Sequence, residues 1–282
     1  MRKILPTSLL GLALAASCVG PAVATPAKDN AAQRTVVAAS YNIHHAQGAD
    51  GVLDLERVAT VLEGTDAQVI GLQEVDRHWG ERSENVDQAK WLAERLDMFY
   101  CYTANLDNPP AEGSTQNRQY GTAILSDFPL GNCTSTPLTN HPKGEQRSLA
   151  QADLTVRGVP VRFYNTHLTH NSDEGREVQA REVNEVVAAD DRPAILVGDL
   201  NARPDKPVYQ SFTKHLADVW PMVGEGDGFT FDSDNPKGRI DYILVSGQIT
   251  PTSMSVVPTI ASDHMPIVAT LDLPHPSEVR KG

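Results

Sequence analysis

Residues 194–204 read AILVGDLNARP and place two polar side chains at the tip of a buried strand. The apolar run Ala194–Val197 is rich in β-branched residues and lies between a proline and a glycine, which predicts a strand buried on both faces. Asp199 and Asn201 follow two residues apart, so we expect their side chains on the same side of the backbone. A carboxylate can bind a metal or accept a proton, and a carboxamide can donate to an anionic oxygen. The stretch suits attack on a phosphate ester, although a turn capped by these two side chains fits it equally well.

The rest of the chain is consistent with one large domain. Hydrophobic residues make up 40% of the 282 residues, which is enough for a sizeable core. No low-complexity linker or solenoid repeat divides the sequence, so we expect a single α/β domain at residues 35–274. The polar, alanine-rich residues 25–34 predict a flexible leader, and residues 275–282 form a short tail.

The first 24 residues have the pattern of a secretory signal. Two basic residues precede the apolar run Leu9–Ala16, and residues 22–24 read AVA, the small-x-small form of a signal-peptidase site. The run is too short for a transmembrane anchor. We therefore expect a secreted protein cleaved near Ala24, while a lipid anchor on Cys18 is the alternative.

Charge and cysteine content narrow the function further. The formal net charge is −12, and a negative surface repels polyanions at long range. Tight, sequence-independent wrapping of nucleic acid is therefore disfavoured, although a local basic groove stays compatible with this charge. Beyond the signal segment the cysteines are Cys101 and Cys133, and export favours a disulfide between them. Two unrelated buried thiols are the alternative.

Hydrophobic spacing predicts alternating strands and helices, then a run of short strands that favours antiparallel pairing, then a helix before the strand at Ala194. The expected strands are Thr35–Ile43, Ala67–Val75, Met98–Thr103, Tyr120–Leu125, Cys133–Leu138, Ser148–Val156, Val159–His167, Ala194–Val197, Arg239–Val245 and Pro266–Leu273. The expected helices begin near Asp54, surround Leu92, and span Glu174–Ala189 and Val208–Leu216. Two mixed sheets flanked by helices satisfy this order.

Several of these strands end in a polar group suited to phosphate or metal chemistry. They are Asn42, Glu74, His167, Asp199 with Asn201, Asp241, and Asp263 with His264. A single such residue would mean little, because turns favour Asp and Asn. Loops at one edge of a rigid sheet commonly carry binding groups, so their number predicts a shared site.

Seven segments in order resemble the endonuclease/exonuclease/phosphatase superfamily, which has the DNase I-like fold. They are SYNIHH (40–45), GLQEVD (71–76), YGTAILS (120–126), FYNTHL (163–168), VGDLNARP (197–204), RIDYILVS (239–246) and SDHMPIVATL (262–271). The resemblance covers Thr35 to Leu273. It implies a four-layer α/β/β/α sandwich of two mixed sheets, with a divalent-metal site at one sheet edge that usually holds Mg²⁺ and could hold Mn²⁺.

The resemblance also implies roles for matching residues in the metal site. Glu74 would be the main metal carboxylate, with Asn42 and Asp263 nearby. Mg²⁺ prefers oxygen ligands and keeps several waters, so one or two carboxylates with the substrate phosphate are sufficient. Zinc is less expected, because the histidines lack an HxxxH spacing and no cysteine joins them. Nuclease-like relatives often carry an acidic residue two positions after Asn42, where this chain has His44 followed by His45.

Further roles follow from the resemblance for the reaction itself. Asp199 would orient or deprotonate the attacking water, and Asn201 would stabilise the transition state. Asp241 would hold His264, and the imidazoles of His264 and His167 would contact phosphoryl oxygens or assist proton transfer. One more side chain, Arg147, sits where some members bind the substrate phosphate.

Together these features predict a secreted, Mg²⁺-dependent phosphoric ester hydrolase, expected to be a phosphodiesterase that uses direct attack of water. Its substrate would be nucleic acid, a phospholipid headgroup or a small diester, and the segment NIHHAQGADGVLDLERVA (42–59) resembles the lipid-remodelling branch of the family more than the repair nucleases. The alternatives are a phosphomonoesterase acting on a sugar or inositol phosphate, and a non-catalytic binder of phosphate ligands. No stable protein partner is implied, and we expect a monomer.

Overall fold

The computed structural model describes residues 34–140, 142 and 144–279. The expected signal segment, Cys18, most of the leader and the end of the tail lie outside these described residues. Within them, no helix combines the length and apolar character needed to cross a membrane.

Two six-stranded sheets form the centre of the domain. The first contains β1 (Thr35–Asn42), β2 (Val69–Arg77), β3 (Phe99–Asn108), β4 (Arg118–Ser126), β11 (Thr250–Val256) and β12 (Ile267–Asp272), in the order β11-β12-β1-β2-β4-β3. The second contains β5 (Gly131–Pro137), β6 (Ser148–Val156), β7 (Val159–His167), β8 (Ala194–Asp199), β9 (Ala217–Asp218) and β10 (Asp241–Val245), in the order β5-β6-β7-β8-β10-β9. Each sheet has one central parallel pair, β1 with β2 and β7 with β8, and antiparallel neighbours on both sides.

Helices connect both parallel pairs, because parallel strands need a crossover. Helix α1 (Leu55–Glu63) joins β1 to β2, and α3 (Asp173–Ala188) joins β7 to β8. Both have side-chain N-caps, in which Asp54 accepts from the amide of Arg57 and Ser172 accepts from that of Gly175. The remaining helices are α2 (Gln88–Leu96), α4 (Pro207–Phe212) and α5 (Trp220–Val223), with 3₁₀ turns at His44–Ala46 and Glu81–Ser83.

Three hydrophobic cores hold four layers together. One lies between the two sheets, where residues such as Ile124, Phe163 and Ile243 are fully buried. The second packs α1 and α2 against the outer face of the first sheet, and the third packs α3 and α4 against the outer face of the second sheet. This arrangement confirms the predicted α/β/β/α sandwich of two mixed sheets.

A buried amide pair connects the two sheets inside the core. The side chain of Gln73 donates to Oδ1 of Asn165 at 2.7 Å, and Nδ2 of Asn165 donates to the carbonyl oxygens of Leu72 and Ala123, each at 2.9 Å. Both amide side chains are fully buried. The sheets approach closely here, since a Cβ on Gly71 would lie 2.3 Å from a methyl group of the second sheet. The pair thus bridges the sheets, with Nε2 of Gln73 and both polar side-chain atoms of Asn165 hydrogen-bonded.

The predicted disulfide between Cys101 and Cys133 is present, with Cα atoms 5.9 Å apart. The two cysteines lie in β3 and β5, which are edge strands of different sheets. The disulfide therefore joins the sheets to each other at one side of the sandwich, a partition that the run of short strands did not reveal.

Several predicted boundaries shift. Strand β2, predicted as Ala67–Val75, begins at Val69 and continues to Arg77 past an irregularity between Leu72 and Val75. The helix expected to reach Leu216 ends at Phe212. Strand β11 was not predicted, because its sequence TPTSMSV contains a proline and few apolar residues, as a sheet edge tolerates.

Candidate active site

The carboxyl ends of the two central parallel pairs meet at one edge of the sandwich. Asn42 ends β1, Glu74 lies in the irregularity of β2, and His167 and Asp199 end β7 and β8. Nδ2 of Asn42 donates to Oε1 of Glu74 at 3.0 Å and to Oδ2 of Asp199 at 3.2 Å. Each sheet therefore supplies half of the site, and the Asn42 amide connects the halves.

Local backbone geometry explains how His167 and Asp199 come side by side. The register of β7 and β8 pairs His167 with Asp199, and Thr166 with Gly198. Gly198 has φ 153°, and a Cβ at this position would lie 2.1 Å from the carbonyl oxygen of Thr166. Glycine is therefore required where the two strands approach just before the site.

Asp199 is the centre of the second-sheet half. It is 1% exposed, and its Oδ2 lies 3.4 Å from Nε2 of His167 and 3.7 Å from Nε2 of His264. Oδ1 accepts a hydrogen bond from the amide of Asn201 at 2.8 Å. Burial and the neighbouring Asp241 raise the pKa of Asp199, against the opposing effect of His264. A raised carboxyl pKa suits a general base that must hold a proton transiently near neutral pH.

His264 is held by the predicted dyad. Its Nδ1 lies 2.9 Å from Oδ2 of Asp241, and Phe231 packs against the ring. Burial lowers the pKa of His264, but the carboxylates of Asp241 and Asp199 outweigh it and raise the pKa to about 10. The ring is thus an imidazolium at neutral pH, with an N–H directed toward Asp199.

His167 has the opposite protonation state. Nη1 of Arg147 lies 2.8 Å from Nδ1 of His167, and because a guanidinium only donates, Nδ1 must accept. The proton of the neutral ring is therefore on Nε2, facing Asp199. Burial and the charge of Arg147 lower the pKa of His167 well below its usual value. Two imidazoles of different charge consequently flank one carboxylate.

Arg147, expected at the substrate phosphate, is buried behind His167. Its Nη1 also lies 2.9 Å from Oε1 of Glu145, a residue that the sequence did not single out. In the described structure the guanidinium thus fixes the tautomer of His167. The only sequence signal for Glu145 is its position two residues before Arg147.

Asn201 lies at the same edge in a left-handed conformation, with φ 49°, which Asn tolerates better than most residues. Its Nδ2 donates to the carbonyl oxygen of Leu168 at 3.0 Å. A carboxamide nitrogen carries two protons, so the second remains available for an anionic oxygen. Asn201 thus lies beside Asp199 but past the end of β8, and its backbone amide, not its side chain, contacts Asp199, as in the capped-turn alternative.

Possible metal donors surround Glu74 in the first-sheet half. Glu74 is partly exposed, and ligand atoms of Glu74, His44 and His45 all lie within 4.8 Å of one another. Oδ1 of Asp263 lies 3.7 Å from Nδ1 of His44. Carboxylates and imidazoles are donors for divalent cations, so this set fits a divalent-metal site. Asn42, expected among the ligands, orients the carboxylate of Glu74 through its amide.

A second group of potential ligands consists of Asp199, Asp241 and His264, which also lie within 4.8 Å of one another. Here the imidazolium of His264 already compensates the negative charge, and its two nitrogens are engaged by a hydrogen bond to Asp241 and an ion pair with Asp199. The residues of this half therefore suit proton transfer, and those around Glu74 suit metal binding.

The sequence did not predict a cluster near Glu74 in which Arg82 contacts a carboxylate and two aromatic rings. Arg82 binds the buried Asp76 through two hydrogen bonds of 2.8 and 2.7 Å. Its guanidinium carbon lies 4.8 Å from the ring centre of Trp79 and 5.5 Å from that of Tyr120. A cation held against two aromatic rings adds a fixed positive charge to this side of the site.

The fold and the arrangement of the site define a phosphoesterase with its active site at the edge of a four-layer sandwich. Residues 39–264 match the sequence model of the Endonuclease/Exonuclease/phosphatase family, and the chain belongs to this family. It is accordingly a hydrolase of phosphoric esters. No curated protein sequence matches the chain.

Solved structures support the same assignment of the fold. An endonuclease/exonuclease/phosphatase from Beutenbergia cavernae DSM 12333 is 29% identical, with a TM-score of 0.72 over 86% of this chain and 72% of that one. The mannosyl-6-phosphatase of Bacteroides thetaiotaomicron VPI-5482 is 21% identical, with a TM-score of 0.67 over 84% of this chain and 99% of that one. TDP2 from C. elegans is 22% identical, with a TM-score of 0.60 over 84% of this chain and 75% of that one.

Proposed function

We propose that this chain is a divalent-metal-dependent phosphoric diester hydrolase in which water attacks phosphorus directly. The observation that carries this proposal is the position of Asp199. It lies buried between a neutral and a charged imidazole and is connected through Asn42 to the donors around Glu74. A proton acceptor, proton donors and metal ligands thus converge without a covalent nucleophile.

The chain's own residues divide the work as follows. Asp199 orients the attacking water and accepts its proton, and its raised pKa improves the match to neutral pH. His264 presents a charged N–H to the phosphoryl oxygens and Asp241 maintains that charge. His167 and the free amide proton of Asn201 provide neutral donors. A divalent cation at Glu74, Mg²⁺ or alternatively Mn²⁺, supplies charge neutralisation to the phosphoryl group when bound.

The charge balance of the site favours a diester over a monoester. Four carboxylates, Glu74, Asp199, Asp241 and Asp263, lie at this edge, whereas the guanidinium groups of Arg82 and Arg147 are already paired with Asp76 and Glu145. A phosphodiester carries one negative charge and a phosphomonoester up to two, so repulsion penalises the monoester more. A sugar or inositol phosphomonoester is the alternative, supported by the name of the Bacteroides thetaiotaomicron neighbour.

The net charge of the chain narrows the class of diester substrate. A net charge of −12 opposes a long polyanion, so a phospholipid headgroup or a small soluble diester fits better than extended nucleic acid. We also propose that the protein is exported and monomeric. The Cys101–Cys133 disulfide supports export, since disulfides persist in oxidising compartments.

The test is hydrolysis of bis(p-nitrophenyl) phosphate and p-nitrophenyl phosphate, with and without Mg²⁺ or Mn²⁺, followed by a panel of DNA, RNA, phospholipids and sugar phosphates. We expect metal-dependent turnover with the diester faster. Asp199→Asn should lower kcat by roughly 10²–10⁴-fold, as loss of a general base does. Asp205→Asn changes an exposed aspartate in the following loop and serves as the matched control. Turnover of neither ester would favour the non-catalytic phosphate binder, and a faster monoester would favour the phosphatase.

A further inference from the structure

The turn after β1 has a backbone that is costly to form. His44, His45 and Ala46 have φ values of 44°, 45° and 66°, and Glu74, across from them in β2, has φ 57°. The left-handed region is unfavourable for residues other than glycine. The result of this geometry is that two adjacent imidazoles face one carboxylate, with their ring centres 4.5 Å apart.

Gln47 fixes the tautomers of both rings. Its backbone carbonyl oxygen lies 3.2 Å from Nδ1 of His44, and its side-chain Oε1 lies 3.3 Å from Nε2 of His45. The side-chain Nε2 of Gln47 donates to the carbonyl oxygen of Gly51, which sets the orientation of the Gln47 side chain. Carbonyl oxygens only accept, so those two ring nitrogens carry the protons. Nε2 of His44 and Nδ1 of His45 therefore keep free lone pairs.

This pattern is typical of metal-binding histidines, which usually donate their second ring N–H to a carbonyl or carboxylate. The carboxylate is oriented too, because Oε1 of Glu74 accepts from Asn42 and Oε2 stays open. A buried side chain, Gln88, holds the turn by donating to the carbonyl of His45 at 2.7 Å and accepting from the amide of Asp76 at 2.9 Å. All three donors are thus positioned by neighbours before any ligand binds.

We propose that His44, His45 and Glu74 form a two-histidine, one-carboxylate site that selects a transition-metal cation such as Mn²⁺, Co²⁺ or Zn²⁺ over Mg²⁺. Imidazole suits the later first-row metals, whereas Mg²⁺ favours oxygen ligands and retains its waters. Adjacent histidines lack the helical HxxxH spacing, but the left-handed turn brings their nitrogens together all the same. This inference rests on the proposed function in that it names the metal class of the same site.

The test uses the disulfide-bonded protein without a polyhistidine tag. Binding of Mn²⁺, Co²⁺ and Mg²⁺ is measured by calorimetry, the Co²⁺ form by its visible spectrum, and the Mn²⁺ form by electron spin-echo modulation from imidazole nitrogen. We expect Mn²⁺ and Co²⁺ to bind at least about tenfold more tightly than Mg²⁺. His44→Asn and His45→Asn should each weaken Co²⁺ binding by at least the roughly 10–100-fold that loss of an outer-shell partner costs.

Two controls make the outcome specific. His215→Asn changes an exposed histidine after α4 and should leave binding unchanged. His45 is buried, so His44→Asn, at a partly exposed position, provides the second variant if His45→Asn fails to fold. Gln47→Leu should weaken Co²⁺ binding although it removes no ligand, because the side-chain oxygen that sets the tautomer of His45 is lost, while the backbone carbonyl oxygen facing His44 is retained.

The inference would be overturned by equal affinities for Mg²⁺ and Co²⁺, no imidazole modulation in the Mn²⁺ form, and unchanged Co²⁺ binding in His44→Asn. This would hold even if Mg²⁺ supported full diester hydrolysis. Conversely, imidazole-ligated Co²⁺ that is lost in His44→Asn would support it even if no ester were hydrolysed, and the proposed function alone would then fail.

Discussion

Nδ1 of His264 lies 2.9 Å from Oδ2 of Asp241, while Nε2 of the same ring faces Asp199 at 3.7 Å. Strand pairing places Asp241 opposite Asp199, so one imidazole is held between two carboxylates from adjacent strands. Because burial opposes a charge on this ring, its protonation depends on these carboxylates.

Asp241→Asn should move the alkaline limit of activity to lower pH. The folded protein holds the pKa of His264 at about 10, above the usual 6.5, so the imidazolium persists through neutral pH and is lost only as pH rises toward 10. Removing the Asp241 charge lowers this pKa, and the charged donor is then lost at a lower pH. The profile of kcat/KM against pH, measured on one diester for wild type and variant, tests this shift.

An unchanged alkaline limb with full activity in Asp241→Asn would show that the dyad has no role in the reaction. Thermal unfolding of the same samples separates this outcome from a loss of structure. His264→Gln provides the comparison in which no titrating ring remains, and its alkaline limb should be absent.

Glu74→Gln should abolish metal-dependent turnover and keep the fold. The substitution preserves shape and one oxygen but removes the negative charge that the two imidazoles face. Activity measured against metal concentration should show a large increase in the concentration required or no activation. Glu94→Gln, at an exposed position on α2, is the matched control. Near wild-type turnover of Glu74→Gln at low metal concentration would disprove the metal assignment.

Replacing both Cys101 and Cys133 with serine should lower the free energy of unfolding by about 3–4 kcal/mol, the loop-closure value in the chain-entropy model for a separation of 32 residues. Denaturant unfolding of oxidised wild type and the double variant measures the difference. Activity of the folded variant should be retained, because the disulfide joins edge strands and not the strands that carry the site. Two free thiols in the protein purified without reductant would contradict the pairing.

Asp190→Asn should make stability less dependent on acid pH. Hydrogen bonds from Arg192, with a further contribution from Arg162, lower the pKa of Asp190 to about 2. Since this folded-state pKa lies below the usual 3.9, the stabilisation is fully present above about pH 4 and is lost as pH falls toward 2. Unfolding free energies between about pH 2 and 6 should therefore converge for wild type and Asp190→Asn at low pH. A constant difference would exclude the linkage.

Local sequence signals predicted much of the fold. The bounds of β6 and β7 agree with the predicted Ser148–Val156 and Val159–His167, because each strand is ended by a turn with a strong signal. Asp54 was predicted at the start of α1 and caps it. The division of short strands between two sheets was not predictable in this way, since pairing across the sandwich depends on contacts distant in sequence.

The sequence predicted which polar strand ends lie at one edge but not their orientation, and their roles in the reaction stay predictions. The spacing of Asp199 and Asn201 and the family pattern were sufficient to bring the polar strand ends together. They did not reveal that Glu74 has a left-handed backbone inside β2, because GLQEVD has the composition of a regular strand. Gln47 was also missed, and its position two residues after the His44-His45 pair was the only available signal.

The amide pair Gln73–Asn165 has a consequence for the precision of catalysis. Within the described residues the strands of the two sheets form separate ladders, and main-chain hydrogen bonds between the sheets come from loops, as where the amide of Met265 donates to the carbonyl oxygen of Thr230. A slip of one residue would be about 3.3 Å, enough to separate Asn42 from Asp199. The hydrogen bonds of Gln73 and Asn165 resist such sliding of one sheet over the other inside the core, as the Cys101–Cys133 disulfide does at one side of the sandwich. Apolar replacements of similar volume at both positions should preserve the core but let the two halves of the site lose alignment. We therefore expect them to lower the rate of hydrolysis more than the stability of the fold.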